Sequence, residues 1–242
     1  MDPVRDAAGG VPGHAVRRVA VADPEAIGAI GADAAGGTRT DGPEVLRIGI
    51  VVDSRFDERH GGRGLERALA IVNGVDGLFR EGLGVGLAID AVRVHGDPAA
   101  DPLLAGGDTV ETMLERFRLV RAADPELAGE LALVHLFTGL DDARGAIGLG
   151  YVDGVCRDGG WATGLSTPFA FDMLLAAHEI AHVIGAPHDD DPSCAGLADG
   201  QDLMGPTLSA ASRPTFSACS VEAVRRTLDS GCLVDGLTAF AR

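Results

Sequence analysis

Apolar positions along the chain change texture several times. Residues 45–53, VLRIGIVVD, are almost continuously apolar, as in a strand buried on both faces. GLERALAIVNGVDGLF then spaces Leu65, Leu69, Val72, Val75 and Phe79 three or four residues apart, which is one face of a helix. GVGLAIDAVRVH, 84–95, reads as a second strand. Val110, Leu114, Phe117 and Val120 repeat the helical spacing, and Asp108 with Glu111 forms a capping box ahead of them. LALVHLFTG, 131–139, is a third strand. Strand, helix, strand, helix, strand predicts crossover connections and a mostly parallel sheet.

The later chain is more broken. AIGLGYV, 146–152, is short, holds two glycines and follows the polar turn GLDDARG, so it reads as an edge strand. A glycine-rich loop around Trp161 leads to a helix over 171–185, FDMLLAAHEIAHVIG. The remainder is turn-rich until SVEAVRRTLDSG, 220–231, a last helix with Ser220 as cap and Gly231 as stop. Residues 1–44 are rich in Gly, Ala, Pro and Asp and lack periodicity. They read as an arm or a fragment of a pro-region, disordered in the simplest reading. The predicted organisation is that arm followed by one domain over 45–242.

Composition narrows the function. The 242 residues carry a net charge of −16, and no lysine is present. Such a chain is repelled by nucleic-acid phosphates and by anionic membranes, so neither is an expected partner. No apolar run approaches the length of a membrane span. The first 25 residues hold no signal core either, since their longest apolar run after Arg18 is VAVA. Cys156, Cys194, Cys219 and Cys232 form no CxxC pair. An even set confined to one half favours disulfides and an oxidising compartment, and spacing alone leaves all three pairings open.

The chemistry concentrates in AAHEIAHVIGAPHDDD, 176–191. His178 and His182 are four residues apart, roughly 40° around a helix and about 6 Å along it, so both rings can reach one ion. Glu179 sits beside the first and can serve as a base, the arrangement a zinc hydrolase needs. His188 is roughly 600° past His182 on a continuous helix and would face away. Gly185 removes that obstacle: it can adopt a left-handed conformation, end the helix and turn the chain back. Pro187 discourages resumption. Three neutral imidazoles leave a fourth zinc position open, the pattern of a catalytic site. The five fixed residues would coincide by chance in roughly one in 10⁴ chains of this composition, which sets aside a fortuitous histidine cluster. His135, inside an apolar strand, reads instead as a hydrogen-bonded core residue, and His14, His60 and His95 as loop residues. Asp189 is a candidate for orienting the loop that carries His188.

HEIAHVIGAPHD resembles the zinc signature of the metzincins, and Asp189 after the third histidine resembles the adamalysin/reprolysin branch. VVDSRF, IVNGVDGLFREGLGVGLAIDAV, GLGYVDGVC and FSACSVEAVRRTLDSGCL resemble adamalysin segments in the family order, over roughly 45–236. The resemblance implies an α/β fold of the α+β metzincin kind. That fold has a mostly parallel five-stranded twisted sheet with an antiparallel edge strand, an active-site helix, and a small C-terminal subdomain with a Met-turn and a final helix. It implies one catalytic zinc on His178, His182 and His188, Glu179 as general base, and Met204 of DLMGPT as the Met-turn under the metal. The strand around Gly148, Leu149 and Gly150 would pair with an extended protein or peptide substrate. The implied disulfides are Cys156–Cys232 and Cys194–Cys219. The expected protein is a monomeric zinc metalloendopeptidase, secreted or extracytoplasmic. The alternative is a zinc-binding but proteolytically inactive interaction domain. Two departures stand out. Arg47, and a third-strand position near Ala132, replace acids that would bind structural calcium, which argues against a calcium site. Residues 1–44 contain no cysteine, so the cysteine cap that keeps many relatives latent cannot operate.

Overall fold

In the computed structural model, residues 13–18, 44–104, 109–142, 146–157, 159–233 and 237–239 are described. The elements in chain order are β1 (Gly13–Arg18), β2 (Glu44–Val52), α1 (Ser54–Arg59), α2 (Gly64–Gly82), β3 (Val85–Val94), α3 (Val110–Ala123) and α4 (Pro125–Ala128). They continue with β4 (Leu133–Phe137), β5 (Ala146–Tyr151), β6 (Thr163–Ser166), α5 (Asp172–Ile184), β7 (Thr207–Leu208), α6 (Ala218–Asp229) and β8 (Leu237–Ala239).

Five strands in the order β3-β2-β4-β6-β5 make the mostly parallel sheet. β2 runs parallel to β3 and β4, β4 parallel to β6, and β5 antiparallel to β6. β8 adds antiparallel pairing to the start of β2. The fold is α/β, as expected.

Alternation along the buried strands divides the core into two layers. Leu46, Ile48, Ile50 and Val52 of β2 point to one face, where α2 and α5 pack with Ile71, Val75, Phe79, Leu175 and Ile180. Val51, Val134, Leu136, Leu149 and Leu165 point to the other, against Val110, Met113, Leu114 and Phe117 of α3. Burying a side chain of this size contributes about 1.5–3 kcal/mol. α5 is buried from Leu174 to Ile184 without interruption, so it lies inside the molecule with its polar residues enclosed.

Several boundaries differ from the sequence reading. The cap of α3 is Thr109, boxed with Thr112, one residue beyond the expected pair. Asp108 lies outside the described residues. Helix α6 starts three residues early, because Ser217 rather than Ser220 is its cap and accepts the Ser220 N–H. The glycine-rich stretch near Trp161 contains a strand, β6, and His14 lies in a strand rather than a loop. The expected edge strand β5 is flanked on its outer side by β1, which in turn pairs with β7.

Candidate metal centre and cleft

The site is built around the end of α5. Gly185 is the helix's C-cap, with φ of +113°. Its N–H bonds His182 O, and the next N–H, of Ala186, reaches back to Ala181 O at 2.9 Å. That pattern closes a helix and needs a residue without Cβ. A Cβ at Gly185 would also lie 2.6 Å from the Thr227 hydroxyl. The chain then returns, and His188 arrives beside the other two histidines.

Among the described residues, His178, His182 and His188 form the one group able to share a metal ion, with candidate ligand atoms all within 4.8 Å of one another. The His178 and His188 Nε2 atoms are 3.2 Å apart. The Nδ1 atoms of His178 and His182 lie 2.7 Å from the carbonyls of Leu203 and Ala186. A carbonyl only accepts, so each Nδ1 carries the proton and each Nε2 presents a lone pair. At 3.2 Å the His178 lone pair either accepts an N–H from His188 Nε2 or shares one cation with it. Neutral imidazoles are the donor set that zinc takes, and the hydrogen bonds behind them fix tautomer and ring angle. The residues therefore fit a zinc ion.

Glu179 is fully buried, and neither carboxylate oxygen has a hydrogen-bond partner among the described residues. Burial holds its carboxyl well above the usual carboxylate range. A cation at the imidazoles acts in the opposite direction. The carboxylate has room because β5 is glycine-rich. A Cβ at Gly148 would lie 2.5 Å from Glu179 Oε1, and one at Gly150 would lie 2.8 Å from Glu179 O. The sequence marked Gly148, Leu149 and Gly150 only as a docking strand. The closeness of Gly148 and Gly150 to the helix is a separate role that the spacing of a single strand does not reveal.

The segment below the helix is held by backbone and short side chains. Asp189 N–H bonds Met204 O at 2.8 Å, and the Ser217 hydroxyl donates to Asp189 at 2.6 Å. Burial pushes the Asp189 carboxyl up, and the Ser217 bond offsets part of that. Met204 is fully buried, in the same apolar cluster as α5. Cys194 is bonded to Cys219 and Cys156 to Cys232, so both bridges tie loops flanking the site to α6 or its end. Asp153, with φ of +57°, donates its N–H to His182 O and was not singled out by sequence. The other histidines stay apart. His60 packs against Phe56, His95 donates its backbone N–H to Val52 O, and His135 is buried with Nε2 2.9 Å from the Ser166 hydroxyl.

Arg47 is ion-paired with Asp90 and Glu130 on the sheet surface. No helix among the described residues is long and apolar enough to cross a membrane.

A family model of the reprolysin type, described as metallo-peptidase family M12, matches residues 43–218. A disintegrin and metalloproteinase with thrombospondin motifs 20, from Mus musculus, is 41% identical over 78 residues, 30% of this chain and 4% of that protein. Snake venom metalloproteinase TM-1, from Protobothrops mucrosquamatus, is 32% identical over 97 residues, 38% of this chain and 45% of that protein. Each similarity thus spans less than half of the relative's own length. The family match includes all three histidines, Gly185 and Glu179, and with the converging imidazoles it leads to one assignment: the chain belongs to metallo-peptidase family M12, in its adamalysin/reprolysin-like metzincin branch.

Proposed function

We propose that the chain is a zinc-dependent endopeptidase whose catalytic domain spans residues 45–242. The observation that carries this reading is a buried carboxylate, Glu179, with no hydrogen-bond partner among the described residues, on the same helix turn as two of three imidazoles whose candidate ligand atoms converge. An unpaired buried carboxyl costs several kcal/mol of desolvation unless something at the site uses it. A zinc ion on His178, His182 and His188 would supply Lewis acidity, lowering the pKa of water toward neutrality and polarising the scissile carbonyl. Glu179 takes a proton from the attacking water and delivers it to the departing amine nitrogen. Gly148 keeps the space that this carboxylate needs. The backbone of 148–150 pairs with a protein or peptide substrate laid out as a strand. Met204 provides an apolar floor, and the segment after it walls the primed side of the cleft. Two disulfides suit an oxidising, extracytoplasmic setting.

The test is Glu179→Gln on the full chain. Zinc content by elemental analysis should stay at one ion per chain, while cleavage of a peptide library falls by about 10²–10⁴-fold. Undiminished cleavage would sink the mechanism. Bound zinc with no cleavage by the unmodified chain, with or without chelator controls, would favour the inactive zinc-binding domain.

A further inference from the structure

Residues 13–18 of the N-terminal arm lie along the strand expected to receive substrate. β1 runs antiparallel to β5 with His14 opposite Gly150, Ala15 opposite Leu149 and Val16 opposite Gly148. Those three partners are the residues assigned above to the docking edge. On its other side β1 runs parallel to β7, with Arg17 opposite Thr207 and Arg18 opposite Leu208. β7 is the segment after Met204, the proposed primed-side wall. One stretch of backbone therefore spans both walls of the cleft. A peptide substrate cannot pair with the inner strand β5 while β1 holds its hydrogen-bonding edge.

We infer that residues 13–18 occupy the substrate's place and are the site's own first substrate, cleaved within the same molecule at Val16–Arg17. This rests on the peptidase reading above. Two observations select the bond. Val16 faces Gly148, whose missing Cβ makes room for the Glu179 carboxylate. Arg17 begins the pairing with β7, so the chain passes onto the primed-side wall at that point. The pairing with β5 also shifts register between Val16 and Arg17, so the ladder is irregular at that bond. Hydrolysis adds water across this amide. The Val16 carbonyl carbon gains the hydroxyl and becomes a carboxylate, the Arg17 nitrogen gains the proton and becomes an amine, and nothing is oxidised or reduced. Covalent attachment holds the arm at an effective concentration on the order of millimolar, so added peptides must outcompete it until it is cut. The chain thus gates its own cleft by strand occupation, without the cysteine that residues 1–44 lack.

Two measurements test the inference. The first asks whether the arm is there, using the full chain carrying Glu179→Gln so that nothing is cut. Successive N–H groups point to opposite sides of a strand, so Ala15→Pro with Val16→Pro removes at least one bond to β5. Amides of 146–151 should then exchange hydrogen about tenfold faster, while those of 133–137 stay unchanged. Equal exchange at 146–151 with and without the prolines overturns the inference. The second follows intact mass of the unsubstituted full chain after adding one equivalent of zinc. A product starting at Arg17, formed at a rate independent of protein concentration, is the expected result. An arm that stays intact while the same preparation hydrolyses an added peptide overturns the inference and leaves the peptidase reading standing. An intact arm with bound zinc and no peptide hydrolysis removes both.

Discussion

Glu179 and Asp53 are both carboxylates with no solvent exposure, and burial holds both above the usual carboxylate range. Their surroundings differ completely. Asp53 accepts from the N–H groups of Phe56 and Gly139 and from the Thr138 hydroxyl, capping α1 and fastening the end of β4 to it. Glu179 accepts from nothing among the described residues and sits on α5 between His178 and His182. One acid is saturated by its own fold and the other is left open by it. Burial and a raised pKa are common to both, so neither feature identifies a working acid. The partner list does.

The largest effect that can break this contrast is on Glu179. Glu179→Gln should remove about 10²–10⁴-fold of peptide cleavage while leaving the urea midpoint unchanged or higher. A substantial loss of stability would make Glu179 a structural acid like Asp53. The reverse holds for Asp53→Ala, which strands three donors in the interior. It should cost about 3 kcal/mol by urea denaturation, with cleavage per folded molecule retained. A selective loss of activity at full stability would reverse the assignment.

His135 is an intermediate case, one nitrogen bonded to Ser166 and the other, Nδ1, without a hydrogen-bond partner among the described residues. Burial pushes its pKa down to about 3. The unfolded chain takes up this proton below about pH 6.5 while the native chain refuses it until about 3. Stability from this group is therefore complete above pH 6.5 and is lost as pH falls toward 3. His135→Gln should flatten that loss by about 1.4 kcal/mol per pH unit, near 2 kcal/mol at pH 5. Asp53 and Asp189 pull the other way, since their carboxyls are raised, so the difference between parent and variant isolates the imidazole. Parallel stability profiles for the two proteins would mean that the ring is protonated in the native interior.

The smallest expected effect concerns Asp189, a buried acid held by Ser217. Ser217→Ala removes that donor together with the cap of α6. It should lower stability by about 1 kcal/mol and weaken zinc retention in a chelator titration, because Asp189 also anchors the loop carrying His188 through Met204 O. Zinc retention equal to that of the parent would confine Ser217 to capping.

The candidate metal centre was readable because His178, Glu179, His182, Gly185 and His188 are all close in sequence, so helix geometry plus one break fixes them. The buried strands β2 and β4 announced themselves as apolar runs. β6 did not: Thr163–Ser166 offers one leucine among short residues, and nothing in so short a run marks it as a strand between β4 and β5. Helix α6 carries two serines three residues apart, and only the fold chooses between them. DTVET likewise contains two overlapping capping boxes. The carbonyls of Leu203 and Ala186, which set two of the three imidazoles, are backbone groups that no residue pattern can specify. β1 was invisible for the same reason as β6, since its pairing depends on β5 and β7 rather than on any periodicity of its own.

Gly148, Gly150 and Gly164 let the sheet approach α5 closely enough that added Cβ atoms would meet Glu179 at 2.5 and 2.8 Å and Val183 at 3.2 Å. The molecule's tolerance of change is lopsided as a result. Shortening or neutralising Glu179 leaves the frame undisturbed, since nothing leans on that side chain. Adding a single methyl group at Gly150 places it 2.8 Å from the Glu179 carbonyl oxygen, so helix and sheet must move apart there, carrying His178 and His182 with them. The smallest chemical edit available to this region would be among the most disruptive, and it falls at residues that bear no functional group.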